Sequence, residues 1–290
     1  MVTLKYKHLP VQTTLQSRGR LLDLSRPVVM GILNATPDSF YNKGRESSID
    51  ELIHKAGSML EEGATILDIG GASSRPGTAL MPPDLETERV APVIAGIARA
   101  FPEAWISVDT YNAATATAAV AAGALIVNDI SGGRFDEAMI ETVAALGVPF
   151  ITMHIQGTPA TMQKDPQYTD VVREVAEALI ASVQQCEAAG ITDIIIDPGF
   201  GFGKTVAHNF QLLQQLHTFR IAGKPVLAGL SRKSMICRTL NIQPEEALNG
   251  TTALNVIALQ QGASILRVHD VKEAMEAIKL MEMVEGCTDK

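Results

Sequence analysis

Seven polar residues suited to gripping a small ligand, Asn34, Asp109, Asn128, Asp197, Lys233, Arg267 and His269, lie at or just past the ends of short apolar runs. Polar groups at the ends of buried strands need partners, and a polar ligand can supply them. The stretch Asp197 to Phe202, DPGFGF, is the most telling, because the run Ile194, Ile195, Ile196 delivers a carboxylate straight into a loop of alternating glycine and phenylalanine. Glycine permits close backbone approach, and the rings offer a face to something flat. The loop continues Gly203, Lys204, Thr205, but a phosphate-cradling P-loop would need glycine where Pro198 stands, which argues against that motif. The formal charge is -8 and the pI about 5.3, with no Lys/Arg run. No nucleic-acid surface is expected, and any anionic ligand must be met by a few placed cations.

Strands must carry these residues. From Pro27 onward one pattern recurs: a short apolar run, a Gly/Pro/Asn/Asp loop, then a stretch rich in Ala, Leu and Glu that ends at glycine. The runs are VVMGILN (Val28 to Asn34), TILDIGG (Thr65 to Gly71), WISVDT (Trp105 to Thr110), LIVNDI (Leu125 to Ile130), PFITMHI (Pro149 to Ile155), DIIID (Asp193 to Asp197), PVLAGLS (Pro225 to Ser231) and SILRVHD (Ser264 to Asp270). Helices are expected over Asp50 to Glu62, Thr169 to Ala189 and Glu245 to Gln261, among others, with Gly63, Gly123, Gly147, Gly190, Gly223 and Gly262 as stops. Eight such units in about 250 residues is the count for an α/β protein of the (β/α)8 TIM-barrel class, whose chemistry sits at the carboxyl ends of the strands. A doubly wound open sheet is the alternative, but the first loop lacks GxGxxG. The expected organisation is a hairpin extension over 1–26, turning at Arg18-Gly19 and plugging or flanking the core, one barrel over 27–285, and a tail over 286–290. Cys186, Cys237 and Cys287 are too scattered for a zinc site or disulfide framework and read as reduced thiols. With no signal-like start and no apolar run of about 18 residues, the chain reads as soluble, cytoplasmic and not membrane-bound.

The motifs GILNATPDSF (Gly31 to Phe40), DIGG with SSRPG (Asp68 to Gly77), SVDT (Ser107 to Thr110), NDISGG (Asn128 to Gly133), DPGFGFGKT (Asp197 to Thr205), GLSRKS (Gly229 to Ser234) and RVHDV (Arg267 to Val271) occur in this order across nearly the whole chain. Each is short, but together the set resembles the dihydropteroate synthases. These folate-pathway transferases condense 6-hydroxymethyl-7,8-dihydropterin diphosphate with p-aminobenzoate and are sulfonamide targets. The resemblance implies that Asp197, Asp109 and Asn128 bind the pterin, with Lys233 and Gly229 beside it. A carboxylate suits the ring's guanidine-like edge of N–H donors. Asp109 is alternatively a helix N-cap, and Asn128 a satisfied core amide. Asp68 and Asp129 are expected to point the other way along their strands and to be structural. Phe202 and Met153 suit the faces of the ring, or are ordinary core.

Arg267 and His269, two apart on the last run, project to one side and offer a fork and an N–H donor to a single anion, with Arg75 closing from above. By resemblance Asn34 is the protein ligand to a magnesium ion shared with the diphosphate. Loss of diphosphate from the exocyclic CH2, SN1-like, would precede attack by the arylamine, with Asp109, Asp197, Lys233, Arg267 and His269 as the catalytic set. Two long loops, Thr36 to Arg45 and Ala72 to Asp84, would fold over the substrate, with Phe40, Ser73, Ser74, Arg75 and Pro76 as contacts and Ser234 as a carboxylate donor. The chain departs from the family pattern at Tyr41, Asn42, Lys43 and Gly44, and at Ala72 and Ser74. A homodimer through the last helices is implied as well. The rival readings are a methyltetrahydrofolate-binding methyltransferase barrel and a non-catalytic pterin-binding paralogue. RVHD, SRKS and TPDSF speak against the first, and retention of Asn34, Lys233, Arg267 and His269 against the second.

Overall fold

The computed structural model describes residues 9–35, 45–73 and 75–286. A short antiparallel hairpin, β1 (Thr14–Ser17) and β2 (Arg20–Asp23), precedes eight parallel strands. These are β3 (Val28–Asn34), β4 (Ile66–Gly70), β5 (Trp105–Asp109), β6 (Ile126–Asp129), β7 (Phe150–Met153), β8 (Ile194–Asp197), β9 (Leu227–Ala228) and β10 (Ile265–Val268). They pair in the order β8-β7-β6-β5-β4-β3-β10-β9, and a parallel bridge from Ile196 to Val226 joins the two ends. The result is a closed (β/α)8 barrel. Between the strands run α1 (Arg45–Glu61), α2 (Pro83–Ala100), α3 (Ala113–Ala122), α4 (Met139–Leu146), α5 (Val171–Ala188), α6 (Val206–Gln214), α7 (Ser234–Leu240), α8 (Leu248–Gln260) and α9 (Val271–Gly286).

Each apolar run of the sequence contains one barrel strand, because strands buried on both faces need apolar residues at every position. Outward residues such as Val29, Leu67, Val108, Val127, Ile194 and Leu266 pack against the helices. Inward residues form a separate bottom layer: Met30, Ile66, Trp105, Ile126, Ile151, Ile195, Leu227 and Ile265. Leu15, Leu22 and Leu24 join that layer, so the hairpin plugs the amino-terminal mouth. Its turn places Arg18 at φ 49° and Gly19 at φ 80°, the left-handed pair that matches strand twist. Ser17 Oγ donates to the Leu125 carbonyl at 2.7 Å, Arg18 to that of Val120 at 2.8 Å, and the Arg20 guanidinium lies 5.2 Å from the Trp105 ring centroid.

Boundaries shift where local chemistry intervenes. The helix expected from Thr169 begins at Val171, because Asp170 accepts the Arg173 N–H as its N-cap and Glu174 takes the N–H groups of Thr169 and Asp170. The segment expected as one helix from Glu245 is broken, with a 3-10 turn at Pro244–Glu246 preceding α8. The seventh run keeps only two strand residues, since Gly229 onward turns toward the site. Among the described residues no helix is long and apolar enough to cross a membrane. Cys186 is buried and Cys237 partly so, and both are free thiols, while Cys287 lies outside the described residues.

Because Leu15 is fully buried in the bottom layer, Leu15→Ala should lower unfolding stability by about 2 to 5 kcal/mol in urea denaturation. A loss under about 1 kcal/mol would mean that the hairpin is not the floor of the barrel.

Candidate active site

One step of two residues along each strand above the apolar floor, side chains again face the interior. This second layer reads Ile32, Asp68, Ser107, Asn128, Met153, Asp197, Gly229 and Arg267, and a third step brings Asn34, Asp109 and His269 to the rim. The barrel interior thus changes from apolar to ionic over a single step. At its centre Arg267 Nε donates to Asp68 Oδ2 and Nη2 to Asp109 Oδ2, each at 2.6 Å, and Asn128 Nδ2 donates to Asp68 Oδ2 at 3.0 Å. Asp68 therefore does not point away, as the sequence reading expects, but shares the inward parity of Ile66 and holds two residues of the expected site. Asp129 does face the other way, where it takes the N–H groups of Ser131 and Gly133. Asp109 is no helix cap; Asp136 receives the Ala113 N–H instead.

These ionisable groups are tuned by burial and by one another. Desolvation pushes Asp109 up to about 7 despite the pull of Arg267. Burial works against the Arg267 charge, yet Asp68 and Asp109 together hold that guanidinium above its ordinary range. Burial raises Asp197, opposed by Lys233 and the Gly199 N–H, and lowers Lys233 to about 8, opposed by Asp197. His269 is lowered to about 4 by burial and then by Arg267, so it is neutral at pH 7. Its backbone N–H donates to Ser231 Oγ, and the same hydroxyl hydrogen-bonds Nδ1 at 2.9 Å, so Ser231 fixes the ring and leaves Nε2 as the nitrogen with no partner among the described residues.

The DPGFGFGK loop is built around its glycines and a buried lysine. A Cβ on Gly199, at φ 70°, would stand 1.9 Å from the His154 carbonyl oxygen, and one on Gly203, at φ 64°, 2.5 Å from that of Gln156. No other residue fits either place without moving backbone. Lys204 is almost wholly buried, and its Nζ donates to the carbonyls of Gly199 (2.9 Å), Phe202 (3.0 Å) and His154 (3.2 Å). It also meets His154 Nδ1 at 3.0 Å, an imidazole kept neutral by burial and by Lys204 itself. Asp197 Oδ1 accepts the Gly199 N–H at 2.7 Å, while Oδ2 accepts no hydrogen bond from the described residues. Phe200 is wholly buried in the outer core, whereas Phe202 turns to the site, with Lys233 Nζ 4.9 Å from its ring centroid. That ammonium also donates to the Phe200 carbonyl.

Above this layer opens a cavity of about 510 Å³. Of the residues singled out in the sequence, Asn34, Arg75, Asp109, Phe202, Gly229, Lys233, Arg267 and His269 line it, together with Ser73. Asn128 lies beneath the lining, on Asp68, and Asp197 beside Gly229 and Lys233. Met153 borders a separate, smaller cavity and packs with Tyr111, Ile130 and Phe202. Ser234 and Pro76 are exposed and outside the lining, and Phe40 and Ser74 fall outside the described residues. Sequence reasoning missed Asp68, Lys204, Ser231 and Arg89. Strand parity with Ile66 was the available signal for the first; a helix residue such as Arg89 gives none.

A sequence model of the family described as pterin binding enzyme matches residues 30–269. The dihydropteroate synthase of Escherichia coli strain K12 is 47% identical over 268 residues, covering 92% of this chain and 94% of that protein. The chain belongs to the dihydropteroate synthase family. Solved structures of dihydropteroate synthases agree. That of Yersinia pestis, with a sulfonamide drug complex, superposes with a TM-score of 0.89 at 44% identity over 94% of this chain and 99% of that one. That of Xanthomonas albilineans, in complex with 7,8-dihydropteroate, gives 0.84 at 40% identity over 94% and 98%.

Replacing Lys204 by Met should leave the Phe202 and His154 carbonyls unpaired and the Gly199 carbonyl with only the Phe202 N–H, lowering unfolding stability by about 3 kcal/mol or more in chemical denaturation. A change under about 1 kcal/mol would show that the lysine does not hold the loop.

Proposed function

We infer that this protein is a dihydropteroate synthase, joining 6-hydroxymethyl-7,8-dihydropterin diphosphate to p-aminobenzoate and releasing diphosphate and 7,8-dihydropteroate. The observation that carries this reading is one cavity lined by Asp109 and by an arc of Arg267, His269 and Asn34, with Asp197 just behind its Gly229 wall, in a chain 47% identical to such an enzyme.

Asp197 Oδ2 and Asp109 accept the N–H edge of the pterin, and Lys233 donates to its carbonyl or a ring nitrogen. Phe202 packs on a face of the ring. In the reaction the C–O bond between the exocyclic CH2 and the diphosphate breaks, the electron pair leaving with the oxygen. Positive charge develops on a carbon conjugated with the pterin, and the carboxylates below it stabilise that charge. The remaining N–H groups of Arg267 and the Nε2–H of His269 take up charge on the departing diphosphate. The arylamine lone pair then forms the C–N bond, and its proton passes to water; an aniline nitrogen is already a free base near neutrality, so no histidine base is needed.

Asn34 ends β3 with an exposed amide that has no partner among the described residues. One neutral oxygen, with no cluster of three His, Cys, Asp or Glu side chains among the described residues, suits magnesium held mainly by substrate oxygens and water. When bound there, the ion would neutralise charge on the diphosphate. Support for a homodimer comes from Ile257 on α8 and Leu280, Met283 and Val284 on α9, large apolar side chains left exposed.

A coupled assay for released diphosphate tests the reading. Release should require both p-aminobenzoate and magnesium; release without the arylamine, or none with it, contradicts the reading. Asp197→Asn should lower kcat/KM for the pterin diphosphate by about 10- to 100-fold, since it removes the charge from hydrogen bonds to the ring. Unchanged kinetics would remove Asp197 from the pterin seat. For wild type, kcat/KM should rise as Asp109 ionises near pH 7 and fall as Lys233 loses its proton near pH 8. Asp109→Asn should abolish the acid limb, and a flat profile between roughly pH 6 and 9 would contradict both assignments.

A further inference from the structure

The arrangement of charge around the cavity leaves the diphosphate under-served. Among the described residues, Arg267 and Lys233 are the cations that Asp68, Asp109 and Asp197 meet inside the barrel, with Lys204 acting on Asp197 from the loop. Arg267 already spends two of its donors on carboxylates, Lys233 is turned to the Phe200 carbonyl, and His269 is neutral. A multiply charged anion entering such a site needs cations that no carboxylate has claimed, and Arg75, exposed on its loop at the cavity wall, supplies one.

Arg89 supplies a second, from a helix rather than a loop. It sits on α2, is half-buried and lines the cavity, and its Nη1 donates to the Gly71 carbonyl at 2.9 Å. That contact pins the guanidinium at the end of β4, where α2 packs so closely that a Cβ on Gly71 would lie 2.8 Å from Val90. No carboxylate among the described residues comes within ion-pair distance of Arg89. The nearby Glu86 feels the Arg89 charge without pairing with it: Oε2 accepts from Thr110 Oγ1 at 2.6 Å and Asn112 Nδ2 at 2.8 Å, and Oε1 has no hydrogen-bond partner among the described residues. The strands beneath are neighbours: β10 carries Arg267 and His269, β3 carries Asn34, and β4 leads to Gly71. These groups therefore follow one arc of the rim.

We propose that Arg89 is a further diphosphate-binding residue, the helix-borne cation that closes the arc begun by Arg267, His269 and Asn34. Its fork has donors to spare after Gly71 is served, and its backbone is a helix rather than a loop, so the charge is in place before the anion arrives. The inference rests on the synthase reading for the identity of the anion. p-Aminobenzoate also carries a negative group, and the test separates the two.

Inorganic diphosphate with magnesium is titrated calorimetrically into wild type and Arg89→Gln, alongside 6-hydroxymethylpterin, which lacks the phosphates. Diphosphate should bind the variant about tenfold more weakly or worse, while the pterin binds within about twofold of wild type and the KM for p-aminobenzoate stays unchanged. Unaltered diphosphate affinity overturns the proposal, as does a larger effect on the p-aminobenzoate KM than on diphosphate. Should loss of the Gly71 contact unfold the variant, wild type carries the test. Diphosphate with magnesium should shield Arg89 from phenylglyoxal in peptide mass mapping and p-aminobenzoate should not; equal labelling with and without diphosphate overturns the proposal. A wild-type protein that makes no dihydropteroate yet protects Arg89 sinks the synthase reading alone.

Discussion

The bridge from Asp68 through Arg267 to Asp109 is the constraint on which the site depends. Three ionic groups inside a barrel are tolerable only because each satisfies another at 2.6 Å; remove one and the others become uncompensated charge in a poorly solvated interior. The bridge spans β4, β5 and β10, so the closed sheet and the site stand or fall together. It also sets the electrostatic level of everything above it. Burial, and after it Arg267, lower His269 until the imidazole is neutral, and Asp68 adds to the desolvation that raises Asp109.

A second constraint is the backbone of the DPGFGFGK loop, which approaches its neighbours too closely for side chains at Gly199 and Gly203. Lys204 gathers two of its carbonyls, Gly199 and Phe202, and the His154 carbonyl at the end of β7. The motif that looks in sequence like a phosphate cradle is thus a structural clamp. It sends Phe200 into the core and Phe202 toward the cavity, and it orients Asp197 through the Gly199 N–H. Rigid support of this kind lets a carboxylate and an ammonium face one cavity, both displaced toward neutrality, without collapsing onto each other.

Most of the fold was legible because buried parallel strands need uninterrupted apolar runs and the helices between them end at glycine. Register within the strands was legible in principle. Asp68 departs from the expected side because its inward parity is set by Ile66, two residues before it in the floor of the barrel, and no other site residue lies on β4 to mark that parity. Asp129, one residue from Asn128, illustrates the rule working. Other features had no sequence signal. Whether Lys204 is solvated or buried depends on where His154 and its carbonyl lie, fifty positions away in the chain. That Ser234 starts α7 on the exposed side of Lys233, and that Met153 borders a different cavity from Phe202, follow from packing angles rather than spacing. Arg89 belongs to a helix pattern whose polar face reads as solvent until Gly71 brings it to the rim.

The account holds that one rim of the barrel seats a flat nitrogen heterocycle on Asp197 and its phosphates on the arc begun by Arg267. A crystal structure of the protein with magnesium and a non-hydrolysable analogue of the pterin diphosphate measures this directly. The account predicts the ring's N–H edge against Asp197 Oδ2 and the phosphate oxygens against Arg267 and the His269 Nε2–H. A ring bound away from Asp197, or phosphates pointing away from β10, would contradict it.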